Sequence, residues 1–307
     1  MKKITKKIIA ICASILLVLG FVGCSNKHTQ AREKKIGMVV STLNNPFFVS
    51  LKEGAEKRSR ELGYELLVLD SQNDPAKERS NIEDLIQGGI SVLIVNPTDS
   101  DAVINSVQVA NKANIPVITV DRQANGGEVV SHIASDNIKG GELASSFIID
   151  ELKNKKDIKV VELQGIPGAS ATRERGKGFH NIIDKKSNLK LISSQAANFD
   201  RAQGLSVMEN IIQAQSDFDA VFAHNDEMAL GAAKALKTAN KKIIVVGFDG
   251  DEDAKTAIEK SEISATVAQQ PVLMGSISIE TAVKIFNGQN ISKNIPVKLR
   301  LITKNSK

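Results

Sequence analysis

Short β-branched apolar runs alternate with helical periodicity along almost the whole chain, and this alternation restricts the fold more than any other feature. Ile36–Val40, Glu65–Leu69, Val92–Val95 and Val117–Val120 read as buried parallel strands. Helical patterns near 47–62, 76–87 and 101–113 fall between them. Gly63 and the pair Gly88-Gly89 mark helix ends, and Asn114-Ile115-Pro116 restarts the chain as strand. The second half repeats the theme. Strands are expected at 158–163, 189–195, 219–223, 243–247 and 264–268, with helices at 137–153, 171–185, 202–214, 226–238, 251–259 and 271–287. A last strand is expected over 296–303. The pattern predicts two doubly wound α/β halves, with 130–138 as the passage between them and no long linker.

The first 23 residues read as a targeting segment. Lys2, Lys3, Lys6 and Lys7 precede the apolar run Ile8 to Val22, which is short for a bilayer span. The run ends in Phe21-Val22-Gly23-Cys24-Ser25, which resembles a bacterial lipoprotein signal with Cys24 as the lipid-bearing residue, although Phe21 stands where Leu is usual. Residues 24–33 then form a polar tether. The whole chain has 40 basic and 35 acidic residues, net +5. The first 23 residues hold four lysines and no acid, so cleavage leaves 36 against 35 and a net charge of +1. The basic balance therefore gives no support to a nucleic-acid partner. The only cysteines are Cys12 in the signal and Cys24, which leaves no disulfide framework or thiolate metal site downstream.

Several enzyme classes lack their motifs. There is no Gly-x-x-x-x-Gly-Lys-Ser/Thr loop and no Gly-x-Gly-x-x-Gly after a strand; Gly165-Ile166-Pro167-Gly168 is a weak substitute. His28, His132, His180 and His224 show no metal-ligand spacing, and no Gly-x-Ser-x-Gly elbow occurs. No cofactor, no metal and no catalytic residue are expected.

What is present is a set of polar and aromatic residues at the carboxyl ends of strands, where open α/β sheets bind ligands. Ser41 to Phe48 follows the first strand, and Pro46 opens a helix at a position where proline is tolerated. Asn45 and the rings of Phe47 and Phe48 thus stand side by side, although Phe48 also begins a core stripe with Leu51, Ala55 and Leu62. Asn96 ends the third strand, Asp121-Arg122 the fourth, and His224-Asn225-Asp226, Phe248-Asp249 and Gln269 end strands of the second half. Arg173, Arg175 and Phe199 open or precede helices there. Each alone is an ordinary cap or ion pair. Together, two acids (Asp121, Asp249) balanced by two arginines (Arg122, Arg175) suit an uncharged polyol better than a phosphate.

The motifs Ser41–Phe48, Leu69-Asp70-Ser71-Gln72, Asn96–Val103, Asn114–Arg122, Ser131–Asn137, Glu162-Leu163-Gln164-Gly165, Arg173-Glu174-Arg175-Gly176, Asn225–Gly231 and Val246–Gly250 resemble the bacterial D-ribose-binding proteins of ABC sugar-uptake systems, over essentially all of 34–305. The resemblance implies a type I periplasmic binding protein-like fold: two lobes, joined by a three-crossing hinge, that close over one sugar. It implies lobes of 34–135 plus 270–298 and of 136–269 plus 299–305. By matching motif, the ligand would meet Ser41, Asn45, Phe47, Phe48, Asn96, Asp121 and Arg122 of the first lobe. The second would supply Arg175, Phe199, Asn225, Phe248 and Asp249, with Gln269 at a hinge crossing. Phe47 and Phe48 would cover one sugar face and Phe199 the other. His224 stands where Gln is expected. The implied protein is a monomeric, non-enzymatic, lipid-anchored extracytoplasmic binder that serves a membrane permease and has no nucleic-acid partner. Allose, galactose, xylose or a furanosyl autoinducer are the alternative ligands. A sugar-sensing transcription regulator of the same fold would need a helix-turn-helix where the targeting segment lies.

Overall fold

The computed structural model describes residues 34–306; the targeting segment, lipid-bearing Cys24 and tether expected from the sequence lie outside the described residues. The first sheet contains β1 (Lys35–Val40), β2 (Glu65–Asp70), β3 (Val92–Val95), β4 (Val117–Val120), β5 (Ser131–Ser135) and β11 (Asn294–Val297), in the order β11-β5-β4-β3-β1-β2. The second contains β6 (Ile158–Gln164), β7 (Leu189–Ala196), β8 (Ala220–Ala223), β9 (Ile244–Asp249), β10 (Ala265–Ala268) and β12 (Arg300–Thr303), in the order β12-β10-β9-β8-β6-β7. Every pairing is parallel except β10 with β12. The orders correspond strand for strand, so the α/β, doubly wound reading holds for both halves. Each sheet reverses its direction of growth between its first and third strands, β1/β3 and β6/β8, and a crevice opens at such a point.

The strands are apolar on both faces because helices cover both. Those helices are α1 (Pro46–Leu62), α2 (Pro75–Gln87), α3 (Ile104–Lys112), α4 (Asn137–Glu151), α5 (Ser170–Ile183), α6 (Arg201–Ala214), α7 (Asp226–Thr238), α8 (Glu252–Glu259) and α9 (Pro271–Phe286). Ile36, Met38, Val92, Ile94 and Ile118 pack with Leu51 of α1 and Met274 and Ile279 of α9 on one face of the first sheet; Val39, Leu93, Val95 and Val117 pack with Ile82 and Val107 on the other. The second sheet is covered in the same way. α9 approaches α1 so closely that a Cβ on Gly275 would lie 2.0 Å from the Leu51 carbonyl oxygen, which makes glycine obligatory there. Among the described residues no helix is long and apolar enough to cross a membrane.

Two elements differ from the sequence expectation. Residues 131–135 form a strand, because Ile133 and the small Ala134 slot between β4 and β11 although Ser131, His132 and Ser135 hide the apolar pattern. The single strand expected over 296–303 is two, in different sheets, separated by the crossing at Lys298-Leu299. Pro296 is tolerated because β11 is an edge strand. The chain therefore passes between the sheets three times: after β5, after β10, and between β11 and β12.

His132, on β5, places Nδ1 2.8 Å from Thr119 Oγ1. Burial holds its pKa down to about 4, against the ordinary 6.5. The folded state then takes up its proton later than the unfolded state does. This histidine's contribution is complete above pH 6.5 and is lost as pH falls toward 4, at a cost on the order of 3 kcal/mol. Urea unfolding at pH 7.5 and pH 4.5 should show a larger acid loss in the native chain than in His132→Gln.

Candidate functional site

The carboxyl ends of the two sheets face one another across a cavity of about 220 Å³. Its wall is shared. Asn45, Phe47, Phe48, Asp121 and Arg122 come from the first half, and Ala171, Arg175, Phe199 and Asp249 from the second.

The first wall begins at the β1–α1 turn. Asn45 caps α1, its Oδ1 accepting from Phe47 N–H at 2.9 Å, and Pro46 follows at the start of the helix. The cap sets Phe47 and Phe48 edge to face, with centroids 5.1 Å apart. Both rings are buried and join the first-sheet core as well as the cavity wall. Behind them, Asn96 at the end of β3 is a bracket. Its Oδ1 accepts from Ser41 N–H at 3.2 Å, and its Nδ2 donates to the Val120 carbonyl at 3.0 Å and to Asp121 Oδ2 at 3.2 Å.

Asp121 leaves β4 in a left-handed conformation, φ 62°. Aspartate tolerates this better than most residues, and the turn sends its carboxylate into the cavity rather than along the strand. Arg122 Nε lies 3.7 Å from Asp121 Oδ2, and its guanidinium carbon is 5.1 Å from the ring centroids of both Phe48 and Phe199. It thus spans the two halves. Burial raises the pKa of Asp121 and lowers that of Arg122, and the attraction between them opposes both shifts.

The second wall is built around Arg175 of α5. Its Nη1 donates to the His224 carbonyl at 2.5 Å and lies 3.5 Å from Asp249 Oδ1, its Nε donates to Asn137 Oδ1 at 2.9 Å, and the guanidinium carbon is 3.8 Å from the Phe248 centroid. Asp249 (φ 120°) accepts from Gln269 Nε2 at 2.8 Å. Burial pushes its pKa well above the usual carboxylate range, against the pull of Arg175. Asn225 caps α7 through Met228 N–H at 3.0 Å, and its Nδ2 donates to the Phe199 carbonyl at 3.3 Å. Phe199 itself has φ 60°. Three wall residues therefore sit in sparsely populated backbone conformations, a strain that concentrates where geometry serves a site.

The ring of Phe199 rests on Gly165, where a Cβ would come within 2.1 Å of it. Gly165→Ala should displace the ring and weaken ligand binding at least about tenfold, the loss of roughly one buried contact of 1.4 kcal/mol. Calorimetric titration of the variant checks this, and an unchanged affinity would separate Phe199 from the ligand.

Of the thirteen ligand-contact candidates, eight line the cavity. Ser41, Asn96, Asn225, Phe248 and Gln269 stand behind that wall, holding the residues that do. On the wall itself, buried Asp121 Oδ1 and Arg122 Nε have no hydrogen-bonding partner among the described residues. Such atoms call for a ligand rich in hydroxyls. Arg173 is outside the wall. It bridges the halves at the cleft mouth, donating from Nη2 to Ser100 Oγ at 3.1 Å, beside a Ser100 N–H bond to the Gly168 carbonyl at 2.9 Å.

His224 is fully buried, and Nε2 lies 2.9 Å from Glu162 Oε1. Burial lowers the histidine's pKa. Burial alone would raise that of Glu162, but hydrogen bonds from His224, Ser194 and Gln164 bring it down to about 2. We read the pair as neutral imidazole donating to carboxylate. Sequence reasoning did not single out Ala171, whose only signal was proximity to the Arg175 motif; Asn137 and Glu162 lay within the matched motifs but were given no role there. No group of acids and histidines among the described residues could hold a metal ion.

Residues 36–290 match the model of the periplasmic binding protein domain. The ribose import binding protein of Bacillus subtilis (strain 168) is 53% identical over 272 residues, covering 89% of this chain and 88% of that protein. Its counterpart in Escherichia coli (strain K12) is 54% identical over 270 residues, covering 88% and 90%. Among solved structures, the Caulobacter myo-inositol binding protein bound to myo-inositol superposes with a TM-score of 0.84 at 31% identity, covering 88% of this chain and 93% of that one. With two corresponding sheets, three crossings and a shared polar cavity, the chain belongs to the periplasmic binding protein family, whose similar members here include the ribose import binding proteins.

Proposed function

We propose that this chain captures D-ribose by closure of its two halves and delivers it to the permease of an ABC importer. The observation that carries this reading is the cavity's composition: two acid–arginine pairs, one from each half, beside three phenyl rings. The paired charges balance, so an uncharged ligand leaves neither pair uncompensated, whereas an anion would compete with the carboxylates. Phe47, Phe48 and Phe199 offer apolar faces to the C–H sides of a sugar ring, while carboxylate and guanidinium meet its hydroxyls.

The curated relatives above 50% identity are named as ribose import binding proteins. Proteins named for D-apiose or rhizopine stand at 34% and 32%. That gap favours ribose over another monosaccharide. The units that move are taken as 34–135 plus 270–298 and 136–269 plus 299–305, rotating about the three crossings. A ligand touching both walls binds the closed form more tightly and shifts the equilibrium toward it. A non-enzymatic role fits relatives that are binding proteins of transport systems.

Titration calorimetry of the chain begun after Cys24 tests the ligand. There is no tryptophan and only one tyrosine, so heat is a better reporter than intrinsic fluorescence. D-Ribose should bind most tightly among ribose, allose, galactose and xylose. 2-Deoxyribose should be at least about tenfold weaker, because an unmatched buried polar group costs about 1–3 kcal/mol. Tighter binding of another sugar would reassign the ligand within the class. The lipid anchor is read from the targeting segment. Palmitate labelling of whole cells should mark the native chain and not Cys24→Ser, with the protein outside the cytoplasm and, once released, monomeric.

A further inference from the structure

We infer that Glu174 is a positioning residue that couples closure of the two halves to the orientation of Arg175. The inference rests on the closure mechanism proposed above. Glu174 precedes Arg175 on α5 but is not part of the cavity wall. Its Oε2 accepts from Asn137 Nδ2 at 3.1 Å, and its Oε1 accepts from Gln123 Nε2 at 3.3 Å. Asn137, buried at the start of α4, uses its other end, Oδ1, to accept from Arg175 Nε at 2.9 Å.

An asparagine side chain has one accepting and one donating end. Turned over, it would set its amide hydrogens against the Arg175 N–H. An ionised carboxylate only accepts, so Glu174 fixes the turn of Asn137, and Asn137 fixes the fork of Arg175. Burial raises the pKa of Glu174, opposed first by the Asn137 bond, so its carboxylate is short of solvent and depends on these donors.

The second donor belongs to the other half. Gln123 follows Arg122 after β4, and its backbone N–H also reaches across, to Ser170 Oγ at 2.9 Å. Asn137 and Glu174 lie on helices that pack together over the second sheet and travel as one body, whereas Gln123 reaches Glu174 only when the halves meet. One oxygen of Glu174 therefore reports closure and the other holds the arginine facing the cavity. The carboxylate does this from outside that cavity, on the hinge side, where Gln123, Asn137 and Glu174 border a separate hollow.

The test is a double-mutant cycle on D-ribose release kinetics. Glu174→Ala should raise the dissociation rate about tenfold or more and leave the association rate within about threefold, because it weakens only the closed form. Gln123→Ala should raise the dissociation rate a few-fold in the native background and not at all in Glu174→Ala. Glu174→Gln should recover most of the affinity, since a glutamine oxygen can still accept from Asn137 while the Gln123 amide turns to match. Additive effects of Gln123→Ala and Glu174→Ala, or an unchanged dissociation rate in both, would overturn the inference. Should Glu174→Ala not fold, the cycle of Gln123→Ala against Glu174→Leu, which fills the space but offers no acceptor, carries the same comparison, with coupling expected and additivity overturning it. A readout without sugar separates this inference from the ligand assignment. The Arg175 Nε–H should be protected from exchange by NMR in the native chain and lose protection in the Glu174 variant. Equal protection in both would sink the relay even where ribose binds, and unequal protection would support it even where ribose does not.

Discussion

Asp121→Ala is expected to abolish measurable ribose binding while the chain stays folded. Asp121 holds one carboxylate oxygen against Asn96 Nδ2 at 3.2 Å and near Arg122 Nε at 3.7 Å, and its other oxygen has no partner among the described residues. Truncation removes both the acceptor aimed at the ligand and the countercharge of a buried guanidinium. Removing one member of a buried charge pair at an interface costs about 2–5 kcal/mol, roughly thirty- to several-thousand-fold in affinity. The fold should survive, because Asn96 still ties β1, β3 and β4 together through Ser41 and the Val120 carbonyl. Asp121→Asn keeps the shape and tolerates the left-handed backbone, so its loss should be smaller. Calorimetry with a thermal melt separates the two outcomes. Submicromolar binding in the alanine variant would contradict the assignment.

Arg175→Ala should be at least as damaging to binding and more damaging to stability. Its guanidinium meets Asn137, the His224 carbonyl, Asp249 and the Phe248 ring at once. Without it, Asp249 is a buried carboxylate relieved only by Gln269, and Phe248 loses the group covering its face. Breaking a buried pair costs about 3–5 kcal/mol of stability. The melting temperature should therefore drop further than for Asp121→Ala, and ribose binding should be undetectable. Arg175→Lys should restore the charge but little of the affinity, because an ammonium cannot reproduce the planar fork that reaches three acceptors. Recovery of full affinity by lysine would show that charge alone matters at this position.

The fold was legible because its signals are local. Buried parallel strands such as Val92–Val95 and Val117–Val120 announce themselves as unbroken apolar runs, and Gly63 and Gly88 end their helices where the sequence says. β5 was hidden because Ser131, His132 and Ser135 are polar; Ser131 and His132 find partners elsewhere in the chain, the Ser292 carbonyl and Thr119. The split of β11 from β12 was hidden because Lys298-Leu299 carries no turn signal; what divides it is which sheet offers a free edge. The positions of Asp121, Arg122 and Asp249 at strand ends were legible in the same local way. What was not legible was the shell behind it. Gly165 under Phe199, Asn137 behind Arg175 and Glu162 behind His224 are set by contacts 34, 38 and 62 residues apart, and only a folded chain brings them together.

Whether one sugar draws the two halves together is read from small-angle X-ray scattering of the chain begun after Cys24. Saturating D-ribose should lower the radius of gyration of the native chain, and the same dose should leave Arg175→Ala unchanged. Scattering curves of the native chain that superpose with and without ribose, under conditions where calorimetry records binding, would contradict such closure.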